Sequence, residues 1–181
     1  MHIGGQGEEL SQSLVSLLFA FGLAVFLVYL VMASQFESLL HPFVILFTIP
    51  LAMVGAVGAL LLTRSPVSVV VFIGLILLVG LVVKNAIILI DKVNQLREAG
   101  VAKRAALVEG ARSRLRPIIM TTMTALFGFM PLALAFGEGS EVRSPMAITV
   151  IGGLLVSTLL TLVVIPIVYD LLDRKPDEAY A

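Results

Sequence analysis

The sequence predicts an all-α integral membrane protein, a bundle of five membrane-crossing helices. Three observations carry this. Of 181 residues, 59% are hydrophobic and only 13% charged, with a mean hydropathy of +1.09, which lies outside the range of water-soluble domains. Five uncharged runs each approach the roughly 20 residues needed to cross a hydrocarbon core of about 30 Å. The 12 basic residues offset the 12 acidic ones, so net charge is uninformative, but they are segregated between alternate connections.

The runs lie near residues 14–33, 42–63, 67–90, 117–136 and 146–169. The first two connections, SQFESLLHP and TRSP, are short and marked by proline, so spans one to three are expected as neighbouring antiparallel helices. The N-terminus, MHIGGQGEELSQS, is polar and acidic and lacks the basic region of a secretory leader. One side of the membrane collects Lys92, Arg97, Lys103, Arg104, Arg112, Arg114, Arg116, Arg174 and Lys175, whereas the other holds Arg64 and Arg143. Cytoplasmic loops retain Lys and Arg. This places the N-terminus outside and the C-terminus in the cytoplasm, and an odd number of spans entered from outside reads as the back end of a longer protein.

Between spans three and four, Val101, Ala105, Val108 and Leu115 recur at near-helical spacing amid basic residues. The expectation is an amphipathic helix over about 98–115 on the inner membrane surface. In the second span, Ala52/Ala56 and Gly55/Ala59 stand four apart, which permits close helix contact. Pro131 implies a kink in the fourth span.

Enzymatic signatures are missing: there is no HExxH, GxSxG, P-loop or GxGxxG string, and no cysteine. No catalytic residue, cofactor site or metal constellation is assigned. His41, before Pro42 at the mouth of the second span, reads as structural. The third span differs, because LLVGLVVKNAIILIDKV sets Lys84 and Asn85 inside an apolar run. A cation there costs roughly 2.5–3.5 kcal/mol on insertion scales and is a functional hypothesis by default. Lys84 stands seven residues from Asp91, placing its Cα about 10 Å inside the boundary, too deep for comfortable snorkelling. No acidic residue lies within any span, so its counter-charge must come from another segment. Thr121, Thr122 and Thr124 follow Pro117 in the fourth span. Thr121 lies at a depth similar to that of Lys84, although membrane threonines commonly bond their own i−4 carbonyl.

The strings ASQFESLLHPFVILFTIPLAMVGA, GLILLVGLVVKNAIILIDKVNQLREAG and RSRLRPIIMTTMTALFGFMPLALAFGEGS resemble the C-terminal membrane region of resistance-nodulation-division (RND) efflux pumps of the hydrophobe/amphiphile type, collinearly over about residues 7–175. The resemblance implies the last five of twelve helices: a periplasmic stub at 1–13, the C-terminal half of the transmembrane domain at 14–175, and a cytoplasmic tail at 176–181. It implies an inner-membrane proton/substrate antiporter working as a homotrimer with a periplasmic adaptor and an outer-membrane channel, and no role for nucleic acid. In that family a lysine and a threonine of the C-terminal half face an aspartate pair of the N-terminal half. Lys84, Asn85 and Thr121 match those motif positions, and Arg114 of RLRP matches an arginine implicated in the proton path. The aspartate pair itself is absent from this sequence. The rival readings are a truncated membrane module that assembles without transporting and, less favoured by the VVKNAIILID and RLRPIIMT strings, a related protein-export auxiliary.

Overall fold

The computed structural model describes residues 3–36 and 40–172. The terminal residues, including Arg174, Lys175 and the expected 176–181 tail, lie outside them. The described chain forms α1 (Ile3–Phe36), α2 (Leu40–Leu46), α3 (Thr48–Thr63), α4 (Val69–Glu98), α5 (Lys103–Ala133) and α6 (Ser140–Leu172). Five stretches are long and apolar enough to cross a membrane, α2 and α3 together making one of them. The fold is an all-α membrane bundle.

Its centre is built where side chains are smallest. A Cβ added to Gly55 of α3 would stand 2.6 Å from Val156 Cβ and 2.7 Å from the Gly152 carbonyl of α6, and one on Gly152 would collide with Ala59. Without a hydrophobic drive between helices in lipid, close backbone approach is what van der Waals attraction exploits. The Gly55/Ala59 pair read from sequence is thus part of the α3–α6 seam. Gly153 of α6 fits against Leu78 of α4 in the same way, and Gly74 of α4 lies against Met146. Two apolar clusters surround these contacts: Ala52, Ala56, Leu78, Val82 and Leu154, and a larger one that includes Val83, Ala86, Leu89, Ile90, Val93, Ile165 and Tyr169. Helix α1 is peripheral, joining the larger cluster through Met32 with Phe21, Val25 and Val28 partly covered.

The connection between spans three and four departs from expectation. No separate surface helix covers 98–115. Helix α4 continues to Glu98 and reverses at Gly100 (φ 81°), and α5 runs unbroken from Lys103 through Pro117 to Ala133. The reversal is a Schellman turn: Val101 N–H donates to the Leu96 carbonyl (3.0 Å) and Gly100 N–H to that of Arg97 (2.9 Å). Only a residue free to adopt positive φ closes it without a Cβ penalty. Beyond the turn the two helices hold each other, with Ala106, Leu107 and Gly110 buried and Gly110 close against Val93. That contact offsets the backbone bond Pro117 cannot make. Of the expected apolar face, Val101 is half-buried, and Ala105, Val108 (69% exposed) and Leu115 point away from the bundle. Lys103 ties the start of α5 to the end of α6, donating to Asp170 Oδ1 (3.1 Å) and to its carbonyl (2.6 Å). Pro131 lies in the last turn of α5.

Candidate functional site

Helix α4 sorts its residues by face. Leu78, Val82, Asn85 and Leu89 turn into the bundle, while Ile73, Leu77, Gly80, Lys84 and Asp91 form an exposed stripe at three- and four-residue spacing. Lys84 therefore stands on the outward face, in an open cleft of about 550 Å³ between α1 and α4. Every other lining residue is apolar: Leu27, Val28, Val31, Met32, Gly80, Val83, Ile87 and Ile88. Among the described residues Lys84 has no carboxylate or hydrogen-bond partner. An ammonium on a span-length apolar face is costly until an anion meets it.

The other residues expected at the site are dispersed around this helix pair. Asn85, adjacent in sequence but a hundred degrees around the helix, is 7% exposed and faces the interior. Thr121 is exposed on α5, its hydroxyl donating back to the carbonyls of Pro117 (3.2 Å) and Ile118 (3.0 Å). Thr124 does the same to Met120 (2.9 Å). Arg114 is half-buried, and its Nε is enclosed with no hydrogen-bond partner among the described residues. No hydrogen bond among the described residues joins Lys84, Asn85, Thr121 and Arg114 to one another. The shared polar cluster expected of Lys84 and Thr121 is not assembled by these helices alone.

Two polar groupings escaped the sequence reading. Thr122, not Thr121, makes the cross-helix bond, its hydroxyl lying 3.2 Å from that of Thr158 on α6. Next to it on α6, Ser157 and Thr161 are also buried. At the Glu98 end of α4, Arg97 (1% exposed) donates to the Tyr169 hydroxyl (3.3 Å), which donates to Asn94 Oδ1 (3.0 Å). With Asn94 Oδ1 so occupied, its amide nitrogen faces His41 Nδ1 at 3.4 Å. The His41 ring stacks on Tyr169 (centroids 5.5 Å, 7° between planes) and meets Phe36 edge-on. His41 is thus a joint between four elements, in keeping with its structural reading. The usable signal was the i, i+3 pair Asn94 and Arg97 beyond an apolar run, opposite a lone tyrosine at the end of the last one. Among the described residues, no group of three or more His, Cys, Asp or Glu converges as a metal site would require.

Comparison with known proteins places this geometry. Residues 1–173 match the AcrB/AcrD/AcrF family. The chain is 44% identical over 171 residues to multidrug resistance protein MdtC of Photorhabdus laumondii, covering 94% of this chain and 16% of that protein. It is 47% identical over 152 residues to MdtC of Edwardsiella ictaluri, covering 83% and 15% respectively. A crystal structure of a heavy metal efflux pump superposes with a TM-score of 0.86 at 36% identity, over 94% of this chain and 17% of that one. The chain thus spans about one-sixth of the length of these relatives.

Proposed function

Because the chain belongs to the AcrB/AcrD/AcrF family of resistance-nodulation-division transporters, we propose that it supplies the cation side of a proton-relay site in a proton-driven efflux antiporter. The supporting observation is Lys84, set without a counter-charge on an exposed α4 face inside an apolar cleft. A helix bearing carboxylates from the N-terminal half would complete that face. When those carboxylates are ionised, Lys84 is held by charge-assisted contacts, and when they are protonated the contact weakens. That difference in contact energy biases two helix packings, which is all a conformational cycle requires. Thr121, exposed on α5 at a depth similar to that of Lys84, fits as a second group, able to exchange its local carbonyl bond for one across the new interface. Asn85, facing inward, positions the turn that carries Lys84, and the enclosed Arg114 serves the proton route at the Lys103 end.

The remaining assignments follow the family. The protein sits in the bacterial inner membrane with the Glu98–Lys103 turn in the cytoplasm, where the positive charge lies. It works as a homotrimer with a periplasmic adaptor and an outer-membrane channel. Its substrates are hydrophobic or amphiphilic compounds, in line with the multidrug resistance proteins at 43–47% identity rather than with the metal pump at 36%.

Lys84→Ala in the full-length protein tests the reading. Export of an amphiphilic dye from cells should cease while the amount inserted in the membrane is unchanged. Export at the unsubstituted rate would overturn the assignment.

A further inference from the structure

Helix α5 is the least covered of the four helices that build the bundle's interior, and its exposed surface has two different flanks. At three- and four-residue spacing, Pro117, Thr121, Thr124 and Gly128 form one flank. On the opposite side of the buried stripe Ile118, Thr122 and Leu126 stand Arg112, Arg116, Ile119, Met123, Phe127 and Met130, all exposed. The first flank is small and polar, the composition that lets another helix approach. The second is bulky and apolar over the membrane-spanning stretch, with two guanidinium groups where that stretch begins.

These arginines line an open cleft of about 650 Å³ with Ser113, Leu115, Pro117, Ile119 and Met120. They are one turn apart, about 6 Å along the axis. Neither has an ion-pair or hydrogen-bond partner among the described residues. Glu109, the one acidic residue of α5, stands on the same flank one turn farther from the apolar stretch, and forms no ion pair with them. Ser113 turns its hydroxyl back to the Gly110 carbonyl (3.0 Å). The cleft therefore offers two forked cationic donors above an apolar wall. A guanidinium pair matches phosphate oxygens in geometry and charge, and the wall below suits acyl chains.

The geometry points to an anionic phospholipid bound on this flank of α5, its headgroup phosphate held by Arg112 and Arg116 and its chains lying along Ile119, Met123 and Phe127. A second protein helix is the competing occupant, but it would have to pack against Met and Phe side chains instead of the small residues that the other flank presents. Basic clefts at the membrane boundary take such lipids, each nearby Arg contributing about fivefold to affinity.

The test is a titration of the full-length protein, delipidated in detergent, with phosphatidylglycerol or phosphatidylcholine of identical acyl chains, read by native mass spectrometry. The unsubstituted protein should bind phosphatidylglycerol more tightly. Arg112→Gln with Arg116→Gln should weaken that binding about thirtyfold and leave phosphatidylcholine unchanged, whereas Arg143→Gln, in the first turn of α6, should alter neither. Equal binding of the two lipids by the unsubstituted protein, or no loss in the double variant, overturns the proposal. Should that variant fail to insert, a photo-crosslinking residue at Met123 in membranes decides: labelled lipid supports the assignment and a crosslinked polypeptide refutes it.

Discussion

Replacing Tyr169 by Phe removes one oxygen from the junction at the Glu98 end of α4 and leaves the ring to stack on His41. Among the described residues that oxygen accepts from the buried Arg97 at 3.3 Å and donates to Asn94 at 3.0 Å. A hydrogen bond involving a charged group contributes about 1.5–3 kcal/mol and a neutral one about 1. The Arg97 contact is longer than ideal, so its lower bound applies. Asn94 is only half-buried and can recruit water in part compensation. The expected loss is about 2 kcal/mol, most of it from a guanidinium that keeps its burial and loses a partner. Equilibrium unfolding in mixed micelles with rising dodecyl sulfate, followed by circular dichroism, measures it if the slope of the transition is preserved. A change below about 0.5 kcal/mol would refute the reasoning, because the junction would then not depend on the Tyr169 hydroxyl.

Three other outcomes follow from the same packing. Gly152→Ala drives a methyl group into Ala59 across the α3–α6 seam and should destabilise the bundle by about 1–3 kcal/mol, visible in the same titration, whereas Gly22→Ala, which meets open space, should be tolerated. Thr122→Val, which deletes one side of the bond to Thr158, should cost only about 0.6 kcal/mol, the average for interhelical hydrogen bonds in membranes; a loss above about 2 kcal/mol would mean that the buried Ser157 and Thr161 depend on it. Lys103→Met breaks the partly buried pair with Asp170 and the bond to its carbonyl and should cost about 1–2 kcal/mol, and high salt should reduce the difference between the two proteins.

What was legible in the sequence was whatever the bilayer dictates. Five apolar runs had to become helices because lipid satisfies no backbone group, and the Gly55/Ala59 spacing already described a surface that another helix could approach. The ends of helices were less legible, because outside the bilayer tertiary contact decides. Pro117 read as a helix start, yet Gly110 packing on Val93 carries α5 straight through it. The pairing of Thr122 with Thr158, 36 residues apart, has no local signal, since three threonines in one turn look alike until a neighbouring helix selects one.

The same logic separates the two polar sites of this bundle. Arg97 and Tyr169 meet each other and Asn94 within this chain, so that part of their burial is a matter of stability. Lys84 is the reverse case: it faces outward, its cleft is otherwise apolar, and no carboxylate among the described residues pairs with it. A structural cation would have been drawn to Asp91 on its own stripe, but that carboxylate lies two turns away, about 10 Å along the axis. The Asp91 side chain instead accepts from Gln95 at 2.8 Å. Asp91 and, farther on, the exposed Glu98 are the acids of α4's outward stripe, and both stand two or more turns from the lysine. On the proposed reading, a lysine held apart in this way would be free to respond to carboxylates whose charge varies, and a permanent internal ion pair would remove that response.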